Sequence, residues 1–157
     1  MSHVAQEIRR QLGHPVVDAD GHVLESVPLL AEHLREEAGA AATEVFVAQA
    51  GFVTMPSADD YWEESEAETR RQRRPAAPWW GSPTSALDRA TAFVPALLAE
   101  RLEELGLDFS IIYPSVGLMF AQHEDDAMRI GGCRALNRYL AELVAADRQR
   151  LTASALI

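Results

Sequence analysis

Cysteine is all but missing from this chain. Cys133 stands alone among 157 residues, so no internal disulfide and no Cys-x-x-Cys metal clip can form. That usage suits a reducing compartment, and a cytoplasmic location is expected. Long apolar runs are missing too: nowhere do the roughly 18 apolar residues of a spanning helix follow one another. Basic charge is scarce, with 14 basic against 24 acidic residues and a formal net charge of −10. An acidic surface repels phosphate backbones, so nucleic acid is excluded as an expected partner, and an anionic membrane surface by the same sign. There is no internal repeat. The one biased tract, RRQRR, reads as a solvated helical face paired with the preceding EESEAE.

What is present is ordinary for a soluble globular domain: 48% hydrophobic and 24% charged residues. The length suits one domain with a sizeable core. Residues 1–14 read as a leader, amphipathic but without the apolar centre of a secretory signal. Neither His3 nor His14 within it is assigned a function.

From Pro15 onward, helical and extended patterns alternate. VVDAD reads as a strand before a glycine turn, and SVPLLAEHLREEAGA as a helix capped by Ser26 and stopped at Gly39. Residues 44–55, EVFVAQAGFVTM, look extended, as in a small hairpin. Residues 56–83 break the pattern, charged first and then rich in proline and tryptophan, and form an excursion from the domain. Order resumes with a helix opened by Pro95 and closed by Gly106, its apolar stripe being Leu97, Leu98, Leu102 and Leu105. DFSIIYPS is the next strand, and consecutive Ile111 and Ile112 suit burial on both faces. HEDDAMRIGGCRALNRYLAELVAADRQR is one long helix, or two broken near Gly131 and Gly132. Its buried stripe is Cys133, Leu136, Leu140, Leu143 and Val144, with Cys133 a small core residue. LTASALI begins a last strand with no turn, helix or polar cap before the end. Such alternation predicts parallel strands with helical crossovers.

The chemistry concentrates in VVDADGHVLE, residues 16–25. Residues two apart on a strand share a face, which would align Asp18, Asp20 and His22. A carboxylate and an imidazole at that spacing can reach one divalent ion, and parallel α/β sheets place ligands at the strands' carboxyl ends. Spacing alone leaves a plain turn or helix cap open beside the metal site.

This stretch resembles the opening strand of the amidohydrolase superfamily, in the branch related to aminocarboxymuconate semialdehyde decarboxylase. Asp20 and His22 stand where that strand usually ends in His-x-His, and Glu-x-His decarboxylases of the branch offer a carboxylate there. Three further stretches are similar in order: ALDRATAFVPALLAERLEELGLDFSIIYPS, ALNRYLAELVAADRQRL and LTASALI. The resemblance covers residues 15–157. It implies an α/β fold, the N-terminal part of a (β/α)8 TIM barrel truncated near its third strand. It implies one divalent metal, zinc or alternatively manganese, held from the first strand by Asp20 and His22. The implied activity is that of a metal-dependent hydrolase or decarboxylase on a small, carboxylate-bearing substrate. The family's later ligands are lacking, so the chain alone is expected to be inactive.

Other candidates carry two readings each. Asp18 either orients His22 as its hydrogen-bond partner or is a solvated strand end. Arg89 and His123 are substrate-binding candidates; the alternatives are a surface ion pair and an exposed helix-start residue. Trp79 and Trp80 line a pocket or cover an oligomer contact. Glu25 reads as a helix-start residue. The competing reading of the whole is non-catalytic: a half-barrel that associates with a second copy or a separately encoded C-terminal half through exposed strand edges.

Overall fold

The first strand is set by its bracketing residues. Pro15 precedes Val16, and Val16 N–H donates to Asp108 Oδ2 at 2.7 Å, which docks the segment beside the start of the second strand. In the computed structural model, which describes residues 2–50 and 85–157, β1 runs Val17–Val23, β2 Phe109–Pro114 and β3 Leu151–Ala153. The three are parallel and ordered β1-β2-β3. The helices are α1 (Ser2–Gln11), α2 (Val27–Ala50), α3 (Ala86–Phe93), α4 (Pro95–Leu105) and α5 (Asp126–Leu143). Short 3-10 turns cover Val116–Gln122 and Ala145–Asp147. The 56–83 excursion, with Trp79, Trp80 and RRQRR, lies outside the described residues.

This corrects the expected barrel. The described residues form a small α/β domain whose three-stranded sheet stays open, with β1 and β3 as its two edges. Strand–helix alternation dictates parallel pairing in every α/β design, so it could not by itself select a barrel. The open sheet also removes the basis for reading the chain as a half-barrel.

Packing gathers on one sheet face. Val23, Ile112 and Leu151 join Leu30, Leu34, Leu102, Leu136 and Leu140 in one buried cluster. Phe109, Ile111 and Tyr113, on the opposite face of β2, belong neither to this cluster nor to the apolar residues flanking it. Ile112 is fully buried while Ile111 is half-buried, so the strand is not closed on both faces as its sequence suggested.

Several helix boundaries match their chemistry. Pro95 opens α4, where its missing N–H costs nothing, and Gly106 closes it at φ +78°. The α4 stripe is shifted, however: Pro95, Ala99 and Leu102 are buried and Leu105 is exposed. Asp125 caps α5, accepting from Met128 N–H. Gly131 and Gly132 do not break α5; they admit Ala38 and Phe120 against its backbone. Residues 44–50 are helical, not extended, which corrects the hairpin; residues 51–55 are not described. Gly39 interrupts α2 at φ +83°, and after it Thr43, Phe46 and Ala50 are buried at helical spacing. Packing of that face overrode the β propensity of Val45 and Val47, which are left exposed. The end of the chain does carry a polar tie: Asn137 donates to Leu156 O and accepts from Leu156 N–H, both at 2.8 Å.

Candidate functional site

β1 is not a regular strand. Asp18 pairs with Ser110 and Gly21 with Ile112, so β1 spends three residues where β2 spends two. That is a β-bulge, and one inserted residue reverses the facing of everything beyond it. Asp18 and Gly21 therefore lie on the face of Ser110 and Ile112, while His22 pairs with Tyr113 on the other. The His22 and Tyr113 rings sit 6.1 Å apart. The single face expected for Asp18, Asp20 and His22 is thus corrected.

Asp18 builds the bulge. Its Oδ1 accepts from Asp20 N–H at 3.1 Å, an Asx turn, and its Oδ2 accepts from Ser110 Oγ at 3.0 Å. Gly21 is required beside it, because a Cβ there would stand 2.4 Å from Ser110 Oγ and 2.9 Å from Ile111 O. Asp18 thus positions the Asp20 backbone; both of its oxygens are engaged away from the imidazole.

Asp20 and His22, two residues apart, nevertheless come close. Asp20 Oδ1 lies 3.9 Å from His22 Nε2, the carboxylate almost fully exposed and the imidazole about three-quarters buried. His22 Nδ1 is 3.1 Å from Ser115 Oγ, just past β2. This is the carboxyl end of the sheet, where loops after successive strands converge.

The donor set can be tested against a divalent ion. Two ligands each about 2.1 Å from one ion stand at most about 4.2 Å apart. The 3.9 Å separation falls inside that limit but exceeds the roughly 3.4 Å of two ligands at a tetrahedral angle, so the side chains would have to close by about half an ångström on a zinc ion. Among the described residues no third His, Cys, Asp or Glu joins them. Two donors are half of the four that a zinc site takes.

Glu25 is the residue the sequence misjudged. It is fully buried, and it serves the turn after β2 rather than the start of α2. Oε1 accepts from Ser115 N–H at 3.0 Å and Gly117 N–H at 2.9 Å, and Oε2 from Val116 N–H at 2.9 Å. Burial pushes this carboxyl up from its ordinary value, and the backbone N–H groups oppose that rise. Beside it, Ser26 N–H donates to Tyr139 Oη, whose own proton is held more tightly through burial. No sequence signal marked Glu25, since a lone acid before Ser26 looks like any helix start.

Arg89 is half-buried on α3, a helix tied to the end of β1 by Leu24 N–H donating to Ala92 O. His123 closes the 3-10 turn; its Nδ1 accepts from Asp125 N–H and its carbonyl from Arg129, which organises the entry to α5. Cys133 is half-buried, and burial raises its thiol. A hollow of about 380 Å³ runs between α5 and β3, past Asn137 and Arg148, and another of about 340 Å³ lies by Arg10 and Arg150. Neither of these two hollows includes Asp20 or His22.

Compared with known proteins, the chain matches no family model, no curated protein and no solved structure. Among the described residues no helix is long and apolar enough to cross a membrane. The class that fold and site define is an α/β domain with a bulge-positioned acid–imidazole pair at the carboxyl end of a parallel sheet.

Proposed function

We propose that Asp20 and His22 are the first-strand ligands of a divalent metal in a hydrolase or carbon–carbon lyase acting on a small, carboxylate-bearing substrate. The observation that carries this reading is the 3.9 Å approach of Asp20 Oδ1 to His22 Nε2, with Ser115 Oγ on the other ring nitrogen. A hydrogen bond at Nδ1 fixes ring orientation and favours ligation through Nε2. A divalent ion at this point supplies Lewis acidity toward a carbonyl or carboxylate oxygen. The chain's own contribution is placement. The bulge sets the carboxylate, β1 sets the ring, and the half-buried Tyr113 walls one side of the imidazole.

Calorimetric titration of the metal-free full chain with Zn²⁺, then Mn²⁺, tests the reading. One ion per chain is expected, weakened about tenfold or more by His22→Ala and by Asp20→Asn. Zinc binding that survives His22→Ala unchanged refutes the site. Ester, amide and aromatic-acid substrates assayed with the metal-loaded chain then separate hydrolysis from decarboxylation.

A second, non-catalytic reading draws on β1 and β3, the edges of the open sheet among the described residues. Edge strands offer backbone groups for pairing, which favours association with another chain. Light scattering decides it: a monomer across a wide concentration range counts against association.

A further inference from the structure

We propose that Glu25 is the positioning residue of this site: its carboxylate fixes the turn at residues 115–117, and that turn holds Ser115 Oγ against His22 Nδ1, so that Nε2 is presented toward Asp20. The inference rests on reading Asp20 and His22 as a metal pair, and it names the residue through which the imidazole is aimed.

Three observations carry it. Ser115 belongs to both halves of the link, donating its N–H to Glu25 Oε1 at 3.0 Å and meeting His22 Nδ1 with its hydroxyl at 3.1 Å. The Glu25 carboxylate is fully buried, and three consecutive backbone N–H groups converge on it. Burying a carboxylate is costly where an apolar side chain could fill the same space, so its presence points to conformational specificity rather than to plain packing. The cradle is also tight: a Cβ on Gly117 would stand 2.5 Å from Leu136 Cδ1 and 3.0 Å from Glu25 Oε1. Little room exists for the turn to shift while the carboxylate stays in place.

The chemistry follows from the tautomer. When His22 Nδ1–H donates to Ser115 Oγ, Nε2 keeps its lone pair for an ion shared with Asp20. When Ser115 donates instead, Nε2 carries the proton and cannot ligate. A wandering Ser115 would leave the ring divided between the two forms.

The test uses the full chain, metal-free, with ¹⁵N-labelled imidazoles observed where His22 is neutral. Wild type is expected in the Nδ1–H form. Glu25→Gln opposes one backbone N–H with an amide N–H, and it should give mixed tautomers at His22 with an unchanged circular dichroism spectrum. Ser115→Ala should do the same with the Glu25 cradle intact. Both should weaken zinc binding about tenfold to a hundredfold. Should Glu25→Gln fail to fold, Glu25→Asp, a carboxylate too short to reach all three donors, is read in its place. An unchanged His22 ring in the Glu25 variant, or a wild-type ring in the Nε2–H form, overturns the proposal. A tautomer that responds in a protein that binds no zinc upholds the Glu25–Ser115–His22 link and refutes the metal reading instead.

Discussion

Gly21→Ala tests the bulge, the feature on which the geometry of the Asp20–His22 pair depends. An added Cβ would lie 2.4 Å from Ser110 Oγ, 2.9 Å from Asp18 Oδ2 and 2.9 Å from Ile111 O. The hydroxyl can rotate away, but only by giving up its 3.0 Å bond to Asp18. A hydrogen bond to a charged group contributes about 1.5–3 kcal/mol. The Ile111 carbonyl belongs to the middle strand and cannot retreat without disturbing it; overpacking of this kind costs about 1–3 kcal/mol. The expected loss is therefore about 2.5–6 kcal/mol in all. At about 2–4 °C per kcal/mol for a chain of this size, melting should fall by about 5–24 °C. Urea unfolding followed by far-ultraviolet circular dichroism reads the loss as a lower midpoint at constant slope. Ser110→Ala supplies the cross-check. It loses the same hydrogen bond and also removes the clashing oxygen, so the double variant should be less damaged than the sum by about 1.5–3 kcal/mol. Gly21→Ala within about 0.5 kcal/mol of wild type, or strict additivity with Ser110→Ala, refutes the reasoning.

Gly132→Ala should destabilise by up to about 2 kcal/mol, although glycine to alanine inside a helix ordinarily gains about 1 kcal/mol. The reversal arises because the new Cβ would stand 2.3 Å from Phe120 Cδ1, a ring locked in the core against Phe46, and a rise in melting temperature would contradict it. Acid titration of stability should show two opposed contributions. The Arg9 guanidinium and Val16 N–H hold Asp108 below its ordinary 3.8, so its stabilisation is full above that value and is lost as pH falls through the lower folded one; Asp108→Asn should flatten this limb. Glu25 runs the other way: burial raises it above its ordinary 4.5, so its contribution is greatest below that value and declines as pH rises through the folded one. Glu25→Gln should remove that decline, and melting curves from about pH 3 to 7 that keep it would refute the assignment.

The sequence was most informative where a local rule has one outcome. Pro95 and Gly106 delimit α4 because one lacks a donor and the other reaches φ +78° without strain. Phe109–Pro114 was legible as a strand because β-branched Ile111 and Ile112 precede Pro114, although the two-sided burial read from them is not found. Residues 44–50 were not, because β-branched Val45 and Val47 speak for a strand while the burial of Thr43, Phe46 and Ala50 is decided by partners distant in the chain. The barrel failed for a related reason, since strand alternation fixes pairing direction but not how many strands follow or whether they close.

The site shows the same division more sharply. Asp20 and His22 were found by residue type and spacing, and they do approach to 3.9 Å. Period-two alternation failed for Asp18, because it assumes a regular strand and the register shift between Asp18 and Gly21 breaks it. An inserted residue changes no composition and leaves no gap, so no inspection of VVDADGHVLE reveals it. Its chemical cause is visible only once Ser110 is known to lie beside Asp18, which requires the pairing of strands some ninety residues apart. Glu25 was hidden in the same way. Its three donors belong to residues 115–117, and nothing near Glu25 in sequence distinguishes a carboxylate that caps a distant turn from one that faces water. Local sequence thus singled out Asp20 and His22, whereas their surroundings are defined by contacts between β1 and the end of β2. A search confined to acid and imidazole spacing would stop at Asp20 and His22 and miss Gly21, Ser110, Ser115 and Glu25, on which their geometry rests.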